Sequence, residues 1–261
     1  MTSLPFFQVD AFADRPLAGN PAAVIPLDRW LDEELMQGIA AENNLSETAF
    51  TVASESNDAD YDLRWFTPAR EVPLCGHATL ASAHILIASE RIRFSTKSGI
   101  LTVSRDEDLL RLDLPSSKVE RRDIAGLDEA LGVSGESYAG PGAGDESLAI
   151  MLLEDEGAVR SVAPDFAALK DLPEMVIVTA PGDEQDIASR VFAVPVGIDE
   201  DPVTGAAHAA LVPFWAERLG RHEFSALQAS RRGGLLHCRD AGDRVILGGQ
   251  CVTVITGSFQ L

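Results

Sequence analysis

The sequence predicts an α+β protein made of two similar domains, and three observations support this fold class. One order of residues occurs twice, from Phe66 to Gly76 and from Phe192 to Gly205. Each copy leads into an apolar segment of helical length, and the segments around these two read mostly as strands. Two related halves therefore predict two curved, mostly antiparallel sheets, each around one hydrophobic helix and related by a pseudo-twofold axis.

The first half begins with an apolar strand pattern and a turn signal at Gly19-Asn20-Pro21. Trp30-Leu31, Leu35-Met36 and Ile39-Ala40 then recur at helical spacing and predict an amphipathic helix over residues 29–43. The other predicted elements of this half are strands at 6–12, 22–25, 47–53 and 61–66, a buried helix at 76–90, and a hairpin at 99–104 and 109–114.

A polar, charged stretch that starts at Pro115 marks the predicted boundary between domains at 1–115 and 116–261, with a terminal strand able to cross to the first domain. Gly140 to Ser147 is expected to be a surface loop. The predicted elements of the second half are strands at 149–153, 175–179, 191–194, 234–239, 244–248 and 251–256, a helical turn at 165–172 and a helix at 206–219.

Composition narrows the class of partner. The 41 Asp and Glu outnumber the 21 Lys and Arg, and the net charge of −20 argues against nucleic acid and anionic membranes. The longest apolar run, residues 78–88, is too short to span a bilayer, and the first residues carry no secretory pattern. The 3 cysteines lack CxxC spacing, so neither a disulfide framework nor a structural zinc site is expected. A cytoplasmic protein without membrane or nucleic-acid partners follows.

The two helix starts, Cys75-Gly76 and Thr204-Gly205-Ala206, are candidate anion sites. Glycine leaves the first-turn N–H groups unobstructed, and the helix dipole favours a negative charge there. Two opposed starts would hold a small carboxylate without a metal or a nucleotide. The structural alternative is a tight strand-to-helix turn with Thr204 as its cap.

Three side chains are candidates for proton transfer: Glu47, His77 and Asp201. Glu47 enters an apolar strand, where partial desolvation suits a carboxyl group to act as an acid or base; an exposed strand end is the alternative. His77 is either a general acid/base, a substrate donor or a satisfied helix-start residue, and Asp201 either binds substrate or caps a turn. His84 is expected to be a core histidine. Nucleotide, zinc-protease and serine-hydrolase motifs are absent, which leaves acid/base chemistry without cofactor or metal.

Several spaced motifs run in one order along nearly the whole chain. They are Asp10-Ala11-Phe12, Gly19-Asn20-Pro21-Ala22-Ala23-Val24, Ser46-Glu47-Thr48-Ala49-Phe50, Arg64-Trp65-Phe66-Thr67-Pro68, Cys75-Gly76-His77-Ala78-Thr79-Leu80, Glu200-Asp201-Pro202-Val203-Thr204-Gly205 and Gln228-Ala229-Ser230-Arg231-Arg232-Gly233-Gly234. With these motifs the chain resembles the PhzF-like family, which is linked to phenazine biosynthesis and has the diaminopimelate epimerase-like fold.

The resemblance implies two β-barrel-like domains, a homodimer and a cofactor-free isomerase that acts on a small anionic metabolite. It places the family's catalytic residues at Glu47, His77 and Asp201. Glu47 would take a proton from a substrate carbon and return it elsewhere, while His77 and Asp201 orient the substrate. The substrate-binding positions would be Asn20, Cys75, Gly76, Thr204, Gly205 and Ala206.

One position departs from the family pattern: Ala206 stands where a serine is common, which puts a phenazine-pathway substrate in doubt. Two further functions stay open. One is an epimerase or racemase that uses Cys75, although the second half offers no partner thiol. The other is a non-catalytic protein that binds a small molecule with the same scaffold.

Overall fold

A computed structural model describes residues 2–142 and 147–261 of the chain. None of the helices within these residues is both long and apolar enough to cross a membrane. The helices are α1 Glu33–Asn43, α2 Gly76–Leu86, α3 Leu127–Leu131, α4 Glu156–Ser161, α5 Phe166–Leu169 and α6 Gly205–Leu219, with a 3-10 turn at Val194–Val196. The strands are β1 Ser3–Ala11, β2 Asn20–Leu27, β3 Glu47–Ala53, β4 Tyr61–Phe66, β5 Glu71–Val72, β6 Arg91–Thr96, β7 Gly99–Asp106, β8 Leu109–Pro115, β9 Glu120–Arg121, β10 Glu136–Pro141, β11 Ser147–Leu152, β12 Glu174–Pro181, β13 Ile187–Ala193, β14 Ile198–Asp201, β15 Glu223–Gln228, β16 Gly234–Asp240, β17 Arg244–Gly249 and β18 Cys251–Gln260.

The chain divides into two compact units. The first contains Met1–Asp113 together with Gly248–Leu261, and the second contains Leu114–Leu247. The last segment, which contains β18, therefore belongs with the first unit. The reason is backbone pairing, since β18 runs antiparallel to β1 from Ser3↔Gln260 to Ala11↔Cys251.

The first unit is a mixed, mostly antiparallel sheet around α2. Strand β1 pairs antiparallel with β18 and β2, β2 runs parallel to β3, and β3 pairs antiparallel with β4. Strand β4 also runs parallel to β6, which pairs antiparallel with β7, and β7 pairs antiparallel with β8. Helix α2 packs against β1, β2, β3, β7 and β18, and Gly76 through Ala83 are buried. Small apolar side chains allow this all-round burial of the helix.

The second unit repeats this order of pairings. Strand β10 pairs antiparallel with β11, β11 runs parallel to β12, and β12 pairs antiparallel with β13. Next, β13 runs parallel to β15, which pairs antiparallel with β16. Helices α4 and α5 connect the parallel pair β11–β12, as α1 connects β2–β3, and α6 takes the place of α2. The predicted α+β class and the predicted duplication are confirmed.

Several predicted boundaries differ from the structure, among them the following three in the first unit. The first strand ends at Ala11 because Phe12 is left-handed, with φ 57°. Helix α1 begins at Glu33 and not at residue 29, although Trp30 still packs against the same apolar cluster. Helix α2 ends at Leu86, four residues earlier than predicted, because the backbone becomes extended at Ile87.

Several elements carry too weak a pattern to be predicted. Strands β6 and β15 alternate apolar and polar residues over only 6 positions each. Helices α3 and α4 have 5 and 6 residues, and strand β14 has 4. The predicted loop over residues 140–147 is replaced at its ends by strand, because Pro141 of β10 pairs with Ser147 of β11. Residues 143–146 of that predicted loop lie outside the described residues.

Candidate active site

Four of the predicted site residues meet in the first unit. Asn20 begins β2, Glu47 begins β3, Cys75 is the N-cap of α2, and His77 lies in its first turn. Strands β2 and β3 are parallel neighbours with Ala22 opposite Glu47, so their first residues lie at the same edge of the sheet. Helix α2 starts at that edge, which brings the four side chains together.

The contacts converge on the His77 ring. Glu47 Oε2 lies 3.1 Å from His77 Nε2, at ion-pair distance but off the line of a good hydrogen bond. On the other side of the ring, Asn20 Nδ2 lies 3.2 Å from Nδ1, and Cys75 Sγ lies 3.5 Å from the same nitrogen. The exposed fractions are 0% for Asn20, 4% for His77, 7% for Cys75 and 9% for Glu47. The cluster is therefore almost dry, and its electrostatic interactions are strong.

Burial and charge compete in this cluster. Burial raises the pKa of the Cys75 thiol to about 11, and the Glu47 carboxylate adds to that rise. Burial alone would lower the pKa of His77, but Cys75 and Glu47 outweigh burial and hold the pKa of His77 well above its usual value. Cys75 and Glu47 are thus the two groups that favour the protonated form of His77.

Glu47, Cys75 and His77 also offer three atoms of the kinds that bind metals, all within 4.8 Å of one another. The carboxylate lies beside Nε2 of the ring, whereas the thiol lies beside Nδ1. A ring nitrogen binds an ion along its own lone pair, so one ion does not face both neighbours. The arrangement favours a row of polar contacts, thiol to imidazole to carboxylate, over a three-ligand metal site.

The start of α2 lacks a side-chain cap among the described residues. By contrast, the Asp155 and Asp165 side chains cap α4 and α5 by accepting hydrogen bonds from first-turn N–H groups. In α2 the extended residue Cys75 precedes Gly76, and Thr79 Oγ1 donates to the Cys75 carbonyl at 2.5 Å. The N–H groups of Gly76 and His77 in this first turn are the candidate donors for an anion.

The second unit contains the other predicted residues in a hydrogen-bonded group of its own. The Thr204 hydroxyl donates to Asp201 Oδ2, and the Thr204 backbone N–H donates to Gln228 Oε1 at 2.8 Å. Gln228 Nε2 in turn donates to the Asp201 carbonyl at 2.7 Å. All three residues are buried. Gln228 was not among the predicted site residues, although it opens one of the sequence motifs.

The two helix starts correspond position by position. Cys75 and Thr204 are the N-caps, Gly76 and Gly205 are the first helical residues, and Ala206 occupies the position that His77 has in α2. The structure therefore repeats the glycine but not the thiol or the imidazole. Ala206 is only partly buried, whereas Gly205 and Ala207 beside it are buried.

Two other histidines, His208 and His84, lie outside the Glu47–His77 contact. His208 is fully buried, its Nδ1 donates to the Thr204 carbonyl at 2.9 Å, and burial lowers its pKa to about 4. His84 is only half-buried, and its Nε2 lies 3.0 Å from Thr253 Oγ1. Both contacts are structural, within one unit each. The prediction of a core histidine at position 84 is wrong, because His84 lies in the last turn of α2, where it is only partly buried at the edge of the core.

A cavity of about 360 Å³ in the second unit lies toward the other end of α6. Its walls include Lys118, Arg121, Tyr138, Phe214 and Arg218, and they include neither Asp201 nor Thr204. Arg218 stacks on the Phe214 ring and donates to the Tyr138 hydroxyl at 2.9 Å. These contacts hold the end of α6 against β10 and do not extend the candidate site.

Comparison with known proteins gives the class and then the family. The chain is similar over nearly its full length to proteins named as isomerases, which gives the class. The sequence profile of the phenazine biosynthesis-like protein family, PhzC-PhzF, matches residues 9–257, and the chain belongs to this family.

Individual relatives agree with that assignment. Two Pseudomonas aeruginosa proteins, each named an uncharacterized isomerase, are 49% identical over 265 residues, with 99% of both chains covered. A crystal structure of a PhzF-family protein from Enterococcus faecalis is 46% identical, with a TM-score of 0.91 and complete coverage of both chains. A probable proline racemase from Agrobacterium radiobacter shares the fold alone, at 14% identity, a TM-score of 0.68, and coverage of 99% of this chain and 92% of that one.

Proposed function

We propose that this protein is a cofactor-independent isomerase that moves a proton on a small carboxylate-bearing metabolite, with Glu47 as the base. The observation that carries the proposal is the buried Glu47–His77 pair at 3.1 Å, beside a helix start without a side-chain cap. Glu47 is a buried carboxyl group, so little water surrounds it. Its isolation also protects a substrate carbanion from stray protons.

In the proposed reaction, the Glu47 carboxylate removes a proton from a carbon of the substrate. The electron pair of the broken C–H bond enters the adjacent unsaturated system and raises the negative charge on the substrate. The protonated Glu47 then returns its proton to a different carbon of that system, which restores Glu47 and leaves an isomer. Because one proton is removed and one is returned, the reaction needs no oxidant, reductant or second substrate. His77 supports Glu47 through its Nε2.

The substrate carboxylate is proposed to bind the first-turn N–H groups of α2 at Gly76. Helix starts without a side-chain cap supply both N–H donors and a favourable dipole for an anion. Thr204, Gly205 and Ala206 at the start of α6 are proposed as further binding positions, although Gln228 already occupies the Thr204 N–H. Local binding of this kind is needed because a net charge of −20 would otherwise repel an anion.

Asp201 is proposed to assist the reaction through its carboxylate. Its Oδ2 accepts a hydrogen bond from the Thr204 hydroxyl, and Asp201 is buried at the end of β14. A buried carboxylate held in this way has a defined orientation toward a substrate amine or hydroxyl. An Asp201→Asn variant keeps the size of the side chain and removes its charge, so it tests the role directly.

A homodimer is proposed from the family resemblance, and a cytoplasmic location is proposed as well. Light scattering coupled to size-exclusion chromatography tests the first, because a monomer has a mass of 27.9 kDa. Cell fractionation tests the second.

The decisive experiment measures exchange of carbon-bound hydrogen in D₂O over a panel of small unsaturated carboxylates. The wild type is expected to catalyse exchange or isomerisation of at least one compound, and Glu47→Gln is expected to lose about 10²–10⁴-fold in rate. Glu34→Gln, the same substitution at an exposed position of α1, is the matched control and is expected to keep the wild-type rate. Full activity of Glu47→Gln would reject Glu47 as the base.

A second candidate is an epimerase that pairs Glu47 with Cys75. The observation in its favour is the 3.5 Å approach of Cys75 Sγ to His77 Nδ1, the geometry of a thiol beside a potential base. The high pKa of Cys75 weighs against it, because little thiolate exists at neutral pH. Cys75→Ala separates the candidates: an epimerase of this type loses activity, whereas the proposed isomerase keeps it.

A further inference from the structure

We infer that Asn20 is a positioning residue that keeps the proton of the neutral His77 ring on Nε2, the nitrogen that faces Glu47. The inference rests on the proposed role of Glu47 as the base and extends it to the residue that prepares the base. Asn20 itself acts through His77 and needs no contact with the substrate.

The argument begins with the chemistry of an amide nitrogen. Asn20 Nδ2 always carries hydrogens and never accepts a hydrogen bond, and it lies 3.2 Å from His77 Nδ1. In this contact Nδ1 is therefore the acceptor, so a neutral ring that keeps the contact carries no proton on Nδ1. A neutral imidazole has one N–H, so its proton is on Nε2.

Burial strengthens the preference of the neutral His77 ring for a proton on Nε2. Asn20 is 0% exposed and His77 is 4% exposed, so water does not compete for Nδ1. Asn20 is the first residue of β2, and its backbone is fixed by the pairing of β2 with β1 at Ala11. The amide therefore faces the ring from a rigid strand. Cys75 Sγ, 3.5 Å from Nδ1, is a weaker donor to the same nitrogen.

The consequence falls on Glu47. With the proton on Nε2, the positive end of that N–H lies 3.1 Å from Glu47 Oε2 and favours the ionised carboxylate electrostatically, although the contact is off the line of a good hydrogen bond. With the proton on Nδ1, two lone pairs would face each other across that distance. Protonation of Nδ1 also requires the amide to turn its oxygen toward the ring, so Asn20 links the charge of His77 to its own orientation.

The test is a direct measurement of the tautomer by NMR of the protein labelled with 15N in its histidine rings. The chain has 5 histidines, and the signals that disappear in a His77→Gln variant identify His77. The spectra are followed upward in pH until the ring is neutral. The expected neutral form has its proton on Nε2. A proton on Nδ1, or a ring that stays doubly protonated up to about pH 10, overturns the inference, because each leaves no acceptor for the amide.

Two variants extend the test. Asn20→Asp presents only acceptors to Nδ1, so the ring is expected to carry a proton on Nδ1 at every pH. Cys75→Ala removes the weaker donor and is expected to leave the Nε2 proton in place. An Asn20→Asp protein with an unchanged neutral tautomer, or a Cys75→Ala protein with a changed one, contradicts the role given to Asn20. The wild-type spectrum decides the question even if Asn20→Asp does not fold.

Kinetics connect the tautomer to the reaction. At a pH where the ring is neutral, Asn20→Asp is expected to lower the proton-transfer rate by about 10²–10⁴-fold with little change in KM, since a wrong histidine tautomer costs up to about 10⁴-fold in serine proteases. If the NMR result is as expected but Glu47→Gln remains active, the tautomer role stands and the proposed function fails. If Glu47→Gln is inactive and the neutral wild-type ring has its proton on Nδ1, the proposed function stands and the role of Asn20 fails.

Discussion

Glu47 and Met175 occupy corresponding positions in the two units. Each residue comes one position before the strand residue that pairs with the repeated phenylalanine, since Thr48 pairs with Phe66 and Val176 pairs with Phe192. Both side chains are buried. The duplicated strand therefore carries a proton-transfer group in the first unit and a thioether, which transfers no protons, in the second.

This difference bears on the class of reaction. A racemase with two equivalent bases needs a proton-transfer group in each half, and the positions that correspond to Glu47 and Cys75 hold Met175 and Thr204. A single base suits a reaction in which one group removes a proton and returns it to another atom of the same substrate. The asymmetry favours the proposed isomerase over a symmetric racemase.

Cys75 is expected to react slowly with thiol reagents in the folded protein. It is buried, and the rise of its pKa to about 11 leaves it almost entirely as the unreactive thiol at pH 8. Mass spectrometry after iodoacetamide treatment should find Cys75 unmodified under conditions that alkylate it fully in denaturant. Rapid alkylation of Cys75 at neutral pH would mean that a thiolate is present and would revive the Cys75 epimerase.

His77 is expected to stabilise the folded state most strongly at low pH. Its pKa is raised in the folded protein above the value of about 6.5 in the unfolded chain, so the folded state binds the proton more tightly. The advantage of the wild type over His77→Gln in free energy of unfolding should be fully present below about pH 6.5. It should shrink as the pH rises through the folded pKa. Denaturant titrations at several pH values measure it.

His84 provides a control of the opposite sign for that experiment. Burial, followed by the charge of Arg105, lowers the pKa of His84. The advantage of the wild type over His84→Gln should therefore be present above about pH 6.5 and decrease as the pH falls. Parallel trends in the two variants would contradict the assigned directions and point to a general effect of pH on the fold.

The sequence predicts some parts of this site better than others, for physical reasons. The helix starts at Gly76 and Gly205 are local features of glycine next to an apolar run, so they could be predicted. The contacts of His77 are not local, because the parallel pairing of β2 and β3 brings Asn20 from 57 residues away, so only the family resemblance could place these residues in one site. The same holds for Gln228, whose contact with Thr204 depends on where β15 ends.

Ala206→Ser is expected to change ligand preference without changing stability. Ala206 is the second residue of α6 and is partly exposed, so a hydroxyl fits there at a cost within about 0.5 kcal/mol. If α6 binds the substrate, the added donor should change KM, or the thermal shift by carboxylates, more than it changes the maximal rate. Ala207→Ser, at the next and buried position, is the comparison. An unchanged ligand profile in Ala206→Ser would argue that this helix start does not bind substrate.

Gly19→Ala is expected to be severely destabilising, and Gly99→Ala much less so. Both glycines have a positive φ, 63° at Gly19 and 95° at Gly99. A Cβ at Gly19 would lie 2.2 Å from the Ala11 carbonyl oxygen, whereas a Cβ at Gly99 meets nothing within 4 Å. Gly99→Ala should therefore cost about 1–2 kcal/mol for backbone strain alone, and Gly19→Ala should cost at least about 3 kcal/mol because the backbone must also move.

The movement at Gly19 should reach the candidate site, because Asn20 follows directly and contacts His77. In Gly19→Ala protein that remains folded, the His77 ring signals should shift and the proton-transfer rate should fall. In Gly99→Ala protein both should match the wild type. Equal losses of stability in the two variants, measured by denaturant unfolding, would show that the close approach of Gly19 to Ala11 is not what fixes the start of β2.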